Sequence, residues 1–162
     1  MSSKDIRETA LKYLAYRDHT VFEMVKHLKE KDFSQAEIDE VVFTLVELHY
    51  LDDYSYCRKY IPYSANKGKG KSRIKSELIQ KGIAPEIINA AIDDEGEDGE
   101  VLSVSEFDRA LKQGEKTISG QDITEKMMAK VGRRLSTLGY GTDVVYKVIG
   151  ILRKRNGGCG DD

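Results

Sequence analysis

Apolar residues recur every three or four positions along most of this chain, and short polar turns separate the runs. Ile6, Ala10, Tyr13 and Leu14 share one face and predict a helix over about 4–17. Thr20-Val21-Phe22-Glu23 is a capping-box pattern, in which the Thr oxygen takes an orphan amide and Glu23 reaches back. The helix it opens turns Phe22, Val25 and Leu28 inward. Ser34-Gln35-Ala36-Glu37 opens a third helix with Ile38, Val41, Val42, Leu45 and Leu48. These short helices read as one three-helix module.

A second triplet follows, over about 53–94. Asp53 or its neighbour Asp52 caps a helix through Tyr54, Cys57, Tyr60 and Ile61. Pro62 cannot donate an intrahelical bond, so a kink or an early end is expected there. Next comes a basic, amphipathic helix with Ile74, Leu78 and Ile79 on its apolar edge and Gly82 at its C-cap. Ala84-Pro85-Glu86 starts another helix, with Ile87, Ile88, Ala91 and Ile92 apolar. Asp94 to Gly99 reads as a linker. A third triplet then runs through a weakly amphipathic 101–113, a loop over 112–121, a helix with Met127, Met128, Val131 and Leu135, and a last helix through Val144, Val145, Val148, Ile149 and Leu152. The glycine-rich stretch 157–162 is expected to be a disordered tail.

The triplets share a spacing. Leu28, Leu78 and Leu135 are each followed five residues later by Phe33, Ile83 and Tyr140, then by Ile38, Ile88 and Val145, and then by Val42, Ile92 and Ile149. Asp32, Gly82 and Gly139 occupy the same turn position. A repeat of this kind predicts an all-α, elongated tandem array of three three-helix repeats, at 1–52, 53–95 and 96–156. Composition agrees: in 162 residues there are two prolines, no tryptophan and 33 % charged residues.

Charge changes the picture locally rather than globally. The net charge of −2 excludes polyanion binding by bulk electrostatics alone. From Arg58 to Lys81, however, there are eight Lys or Arg and one acid, Glu77, followed by Asp93, Asp94, Glu95, Glu97, Asp98 and Glu100. Met1-Ser2-Ser3-Lys4-Asp5 has no apolar signal core, and no stretch approaches the ~20 apolar residues of a membrane span, so a cytoplasmic protein without membrane contact is expected. Cys57 and Cys159 form no CxxC and read as reduced thiols.

Candidate chemistry centres on the basic run. Lys67, Lys69, Lys71, Arg73, Lys75 and Lys81 are denser than helix solvation requires and suit phosphates or an acidic protein surface. Tyr54, Tyr56, Tyr60 and Tyr63 lie just upstream and suit stacking on bases. Arg133, Arg134, Arg153, Lys154 and Arg155 form a second basic set, which helix C-termini explain equally well. Ala65 to Ser72 fits a loosened P-loop, but no strand precedes it. His19, His27 and His49 lack metal-ligand spacing, so no metal or cofactor is expected.

The chain resembles the bacterial RecX proteins, regulators of the RecA recombinase. The resemblance rests on Ala10-Leu11-Lys12-Tyr13-Leu14-Ala15-Tyr16-Arg17, on Tyr50-Leu51-Asp52-Asp53, and above all on Gly70, Arg73-Ile74, Glu77-Leu78 and Lys81-Gly82-Ile83. It implies tandem three-helix repeats and no enzymatic activity. It also implies binding along the groove of the RecA–single-stranded DNA filament, with a limit on strand exchange, filament growth and co-protease work. The family's basic surface falls on Lys69, Lys71, Arg73 and Lys75. Pro62, the loop near Ile118 and the glycine-rich tail depart from the family pattern. The expected function is negative modulation of RecA by a monomer. A free DNA-binding module and, remotely, a P-loop hydrolase are the alternatives.

Overall fold

The computed structural model describes residues 3–98 and 106–157, and over these the chain is helical without a strand. The helices are α1 (Ser3–Tyr16), α2 (Val21–Glu30), α3 (Gln35–Glu47), α4 (Asp53–Asn66), α5 (Lys71–Gln80), α6 (Pro85–Asp98), α7 (Glu106–Ile118), α8 (Glu125–Thr137) and α9 (Thr142–Gly157). Among the described residues no helix is long and apolar enough to cross a membrane. Two compact units form: Met1–Tyr60 with Glu77–Ala91, and Ile61–Ser76 with Ile92–Asp162.

In the first unit α1, α2 and α3 pack on one another. Their core holds Ile6, Ala10, Met24, Leu28, Phe33, Ile38, Val41, Leu45 and Leu51. Both capping boxes form, at Thr20–Glu23 and Ser34–Glu37. The inward face of α2 differs from expectation. Met24 and Leu28, one turn apart, take the buried core positions and half-buried Val25 packs against that core as expected, whereas Phe22 is 52 % exposed. Leu48, just past α3, is also exposed.

In the second unit α7, α8 and α9 pack mutually around Ala110, Met128, Val131, Leu135, Leu138, Tyr140, Val145, Val148 and Leu152. Helix α7 runs through Ile118, so 112–118 is helix and not loop. Gly114 lies within this helix. It is buried against Val148 and Leu152, where a Cβ would stand 3.1 and 3.3 Å from their methyl carbons, so the glycine lets α9 come close. Two further expectations are corrected. Residues 94–98, read as linker, continue α6, and Gly157 is the last residue of α9. Residues 99–105 and 158–162, including most of the expected tail, lie outside the described residues. Pro62 sits within α4 and does not end it; Ile61, Ser64 and Ala65 around it are all buried.

The repeat spacing has a backbone cause. After α2, α5 and α8 the turn residue takes positive φ, at 66° for Asp32, 84° for Gly82 and 93° for Gly139. The next amide then reaches back to the buried leucine carbonyl: Phe33 to Leu28 at 3.3 Å, Ile83 to Leu78 at 3.2 Å and Tyr140 to Leu135 at 3.1 Å. Each is a Schellman cap that satisfies orphan carbonyls and fixes where the following apolar residue enters the core.

Candidate functional site

The basic segment is built around α5. Its N-terminal end lies in the second unit, where the Gly70 amide donates to the Leu138 carbonyl at 2.7 Å and the Lys71 amide to Glu106 Oε1 at 3.2 Å. A Cβ on Gly70 would collide with the Gly139 backbone, and one on Gly139 with the Arg73 backbone. Glycine is therefore required at both positions by approach, and at Gly139 by its φ as well. Arg73 Nη1 donates to the Thr137 carbonyl at 3.3 Å. The C-terminal end of α5 lies in the first unit, where the Thr20 hydroxyl donates to the Lys81 carbonyl at 2.7 Å and the Val21 amide to Asp53 Oδ1 at 3.0 Å. There a Cβ on Gly82 would overlap Phe22, so this exposed ring lies directly against the glycine.

These two joints are one motif used twice. Thr20 and Gly70 each stand eight residues before a repeat leucine, Leu28 and Leu78; Lys81 and Leu138 each stand three after Leu78 and Leu135. In both, a carboxylate in the first turn of a later helix, Asp53 on α4 or Glu106 on α7, accepts the first amide of an earlier one. The distinctive motif residues thus have fold roles. Ile74 and Leu78 are 1 % and 0 % exposed, and Glu77 accepts the Tyr60 hydroxyl at 2.6 Å. Leu51 is buried, Asp52 accepts the Ser55 amide at 3.0 Å, and Arg17 donates to Glu23 Oε2 at 2.7 Å.

Electrostatics follow from these contacts. The Ser55 amide holds the Asp52 carboxyl below its ordinary range. Burial pushes Asp53 up, and neighbouring Asp52 adds to that against the Val21 bond. Burial opposes the Glu23 charge, but the bonds from Arg17 and the Thr20 amide prevail and its pKa falls.

The basic side chains divide into two kinds. Lys71 is exposed and Lys75 half-buried, one turn apart on α5, and among the described residues neither meets a carboxylate. Lys67 Nζ lies 4.4 Å from the Tyr63 ring centre. Lys81 Nζ lies 5.5 Å from Tyr60 and 5.8 Å from Tyr56, rings that stack on each other, so those two tyrosines already have partners within the protein. The Lys69 carbonyl accepts from Arg109 Nη2 at 3.4 Å. Of the second basic set, Arg153 pairs with Glu125 at 2.7 Å and Arg155 with Glu115 at 2.8 Å, tying α9 to α8 and α7. Arg133, Arg134 and Lys154 are exposed.

The P-loop reading fails on two counts. Residues 65–72 follow a helix, α4. The amides a phosphate would need are already donated: Gly68 to Ala65, Lys69 to Ser64, Gly70 to Leu138 and Lys71 to the Glu106 carboxylate. The described residues hold no group of three or more side chains suited to a metal. His19 is buried and stacks on Tyr13 at 3.6 Å, with His27 on Tyr13 at 3.8 Å. Sequence reasoning missed Glu106, Arg109 and Tyr140 as partners of the basic segment. Nothing local marks them, since each acts across more than 30 residues of chain.

Comparison with known proteins agrees with this architecture. Residues 7–45 match the model of the first three-helix domain of RecX, and residues 52–92 that of its second. The regulatory protein RecX of Vibrio parahaemolyticus is 31 % identical over 140 residues, covering 86 % of each chain. The crystal structure of RecX from Lactobacillus salivarius superposes with a TM-score of 0.80 at 24 % identity, covering 93 % of this chain and 96 % of that one. A second crystal structure of regulatory protein RecX gives 0.75 at 26 % identity, covering 90 % and 70 %. Helical regulatory proteins of tandem three-helix domains are the class this defines. The chain belongs to the RecX family.

Proposed function

We propose that this chain, acting as a cytoplasmic monomer, binds the RecA–single-stranded DNA filament and restrains its recombinase and co-protease work. The observation that carries the reading is the division of labour on α5. Backbone atoms and apolar side chains build the joints and cores, while Lys71 and Lys75 point to no internal carboxylate among the described residues. Cations left in this state gain when they face the negative field of a nucleoprotein, with strong salt dependence. Binding in the filament groove would then block a second strand or a client protein.

The test is equilibrium binding to an ATP-bound RecA filament on single-stranded DNA, with the bare strand and free RecA in parallel. Tight binding to the filament and weak binding to the strand supports the reading. Equal affinity for bare DNA favours a free DNA-binding module, a second reading that the same lysines support. Lys71→Glu/Lys75→Glu is the variant of choice, because Arg73 also touches Thr137 and Gly139 and its loss would disturb the joint.

A further inference from the structure

A cavity of ≈ 360 Å³ in the second unit is lined by four cations, Lys67, Arg109, Lys112 and Lys116, and by no carboxylate. The cavity beside α2 mixes signs, setting Glu23 and Glu30 against Lys26 and Lys81, and one against α1 has no acid but only two lysines, Lys12 and Lys31. Lys112 and Lys116 stand one turn apart on α7, an arrangement that repels in a helix, and among the described residues neither meets an acid. An anion between them removes that repulsion.

The walls are set before any ligand arrives. Tyr140 donates its buried hydroxyl to the Gly68 carbonyl at 2.7 Å, and Arg109 donates to the Lys69 carbonyl. Gly68 has φ 91° and approaches Gln113 so closely that a Cβ would overlap the Gln113 amide. Gln113 also lines the cavity and offers a neutral donor. Lys67 connects this cavity to an aromatic surface: its ammonium covers one face of Tyr63, a ring 55 % exposed.

We propose that this cavity seats backbone phosphates of a single-stranded nucleic acid and that Tyr63 stacks on an adjacent base. The proposal rests on the reading that the chain works on a nucleoprotein filament, and it places a strand contact on α4 and α7 in addition to α5. A nucleic acid fits better than a small phosphate compound, because the phosphate seat and the stacking ring are joined through one residue, Lys67.

The test is fluorescence anisotropy of a labelled oligo-dT across a salt series, on the full chain. The variants are Lys112→Glu/Lys116→Glu, the equally charged control Lys126→Glu/Lys130→Glu on α8, and Tyr63→Leu, each checked by circular dichroism. The cavity pair is expected to weaken binding about tenfold or more, and to flatten the log–log salt slope by about 1.4, which is two contacts at about 0.7 each on a single strand. The control should change affinity by less than about twofold. Tyr63→Leu should weaken oligo-dT but leave polyphosphate binding intact. If the glutamate pair fails to fold, Lys112→Gln/Lys116→Gln reads the same slope.

Equal losses in the cavity pair and the control would overturn the seat, as would an unchanged slope. Pyrophosphate competing as well as oligo-dT would make this a site for a small phosphate compound and overturn the nucleic-acid assignment. An intact oligo-dT affinity in Tyr63→Leu would remove the stacking contact. Unaltered filament binding by the cavity pair with an unchanged slope refutes the seat alone, whereas failure of the native chain to bind filament refutes the reading beneath it.

Discussion

The Gly70 amide and the Leu138 carbonyl, 2.7 Å apart, reproduce at the same repeat positions the bond from the Thr20 hydroxyl to the Lys81 carbonyl. The donor changes from side chain to backbone, yet the acceptor is in both cases the carbonyl one residue before the positive-φ glycine. Thr20 does two things at once, since its oxygen also accepts the Glu23 amide at 3.2 Å. Thr20→Val leaves both partners without it in a fully buried place. The expected loss is about 1–3 kcal/mol, with Thr20→Ser recovering most of it, as urea unfolding midpoints would show.

Two glycines separate strain from collision. Gly120 has φ 77° with nothing within 4 Å of the point a Cβ would occupy, and Gly139 has φ 93° with Arg73 in the way. Gly120→Ala is expected to destabilise by about 1 kcal/mol, the left-handed penalty alone. Gly139→Ala should lose about 2–4 kcal/mol, because overpacking adds to that penalty. Equal thermal shifts for the two would show that the α5–α8 approach is soft.

His19 makes stability depend on pH. Burial, with Arg17 nearby, lowers its pKa, while Glu23 acts in the opposite sense and His27 in the same one. The folded state therefore prefers the neutral ring, which stacks on Tyr13. This contribution is whole above the ordinary histidine value of about 6.5 and is lost as the pH falls through the lowered folded value. The thermal midpoint of the native chain should fall more steeply than that of His19→Gln between ~pH 7 and ~pH 5. Parallel curves would assign the acid sensitivity to other groups.

Cys57 should be inert while the chain is folded. It is fully buried, and burial with Asp53 beside it pushes the thiol up to about 11. In a Cys159→Ser background, a chromogenic disulfide reagent is expected to label Cys57 at the rate of unfolding, and at once in denaturant. Prompt labelling of the native protein would contradict the burial of α4 at this point.

Most of the helices were legible from apolar spacing, and the capping boxes at Thr20 and Ser34 were read residue by residue because their partners lie three positions apart. The repeat was legible because one turn geometry fixes the distance from Leu28, Leu78 and Leu135 to the next core residue. The length of α7 was not, since Gly114 looks like a breaker until Val148 and Leu152 are seen against it. Lys112 and Lys116 were lost with it, although their four-residue spacing is plain once 112–118 is helix. The joints were illegible for a different reason: Gly70, Lys71 and Lys81 act in them through backbone atoms, which a side-chain reading of a basic run does not reveal.

That last feature bears on how such a chain can change over generations. Where the architecture depends on the amide of residue 71, any residue except proline can supply that bond. Mutation can retune the charge at residue 71, and with it the field over that surface, without a compensating change in the scaffold. Selection on surface charge and selection on foldability then operate on different atoms of the same residue.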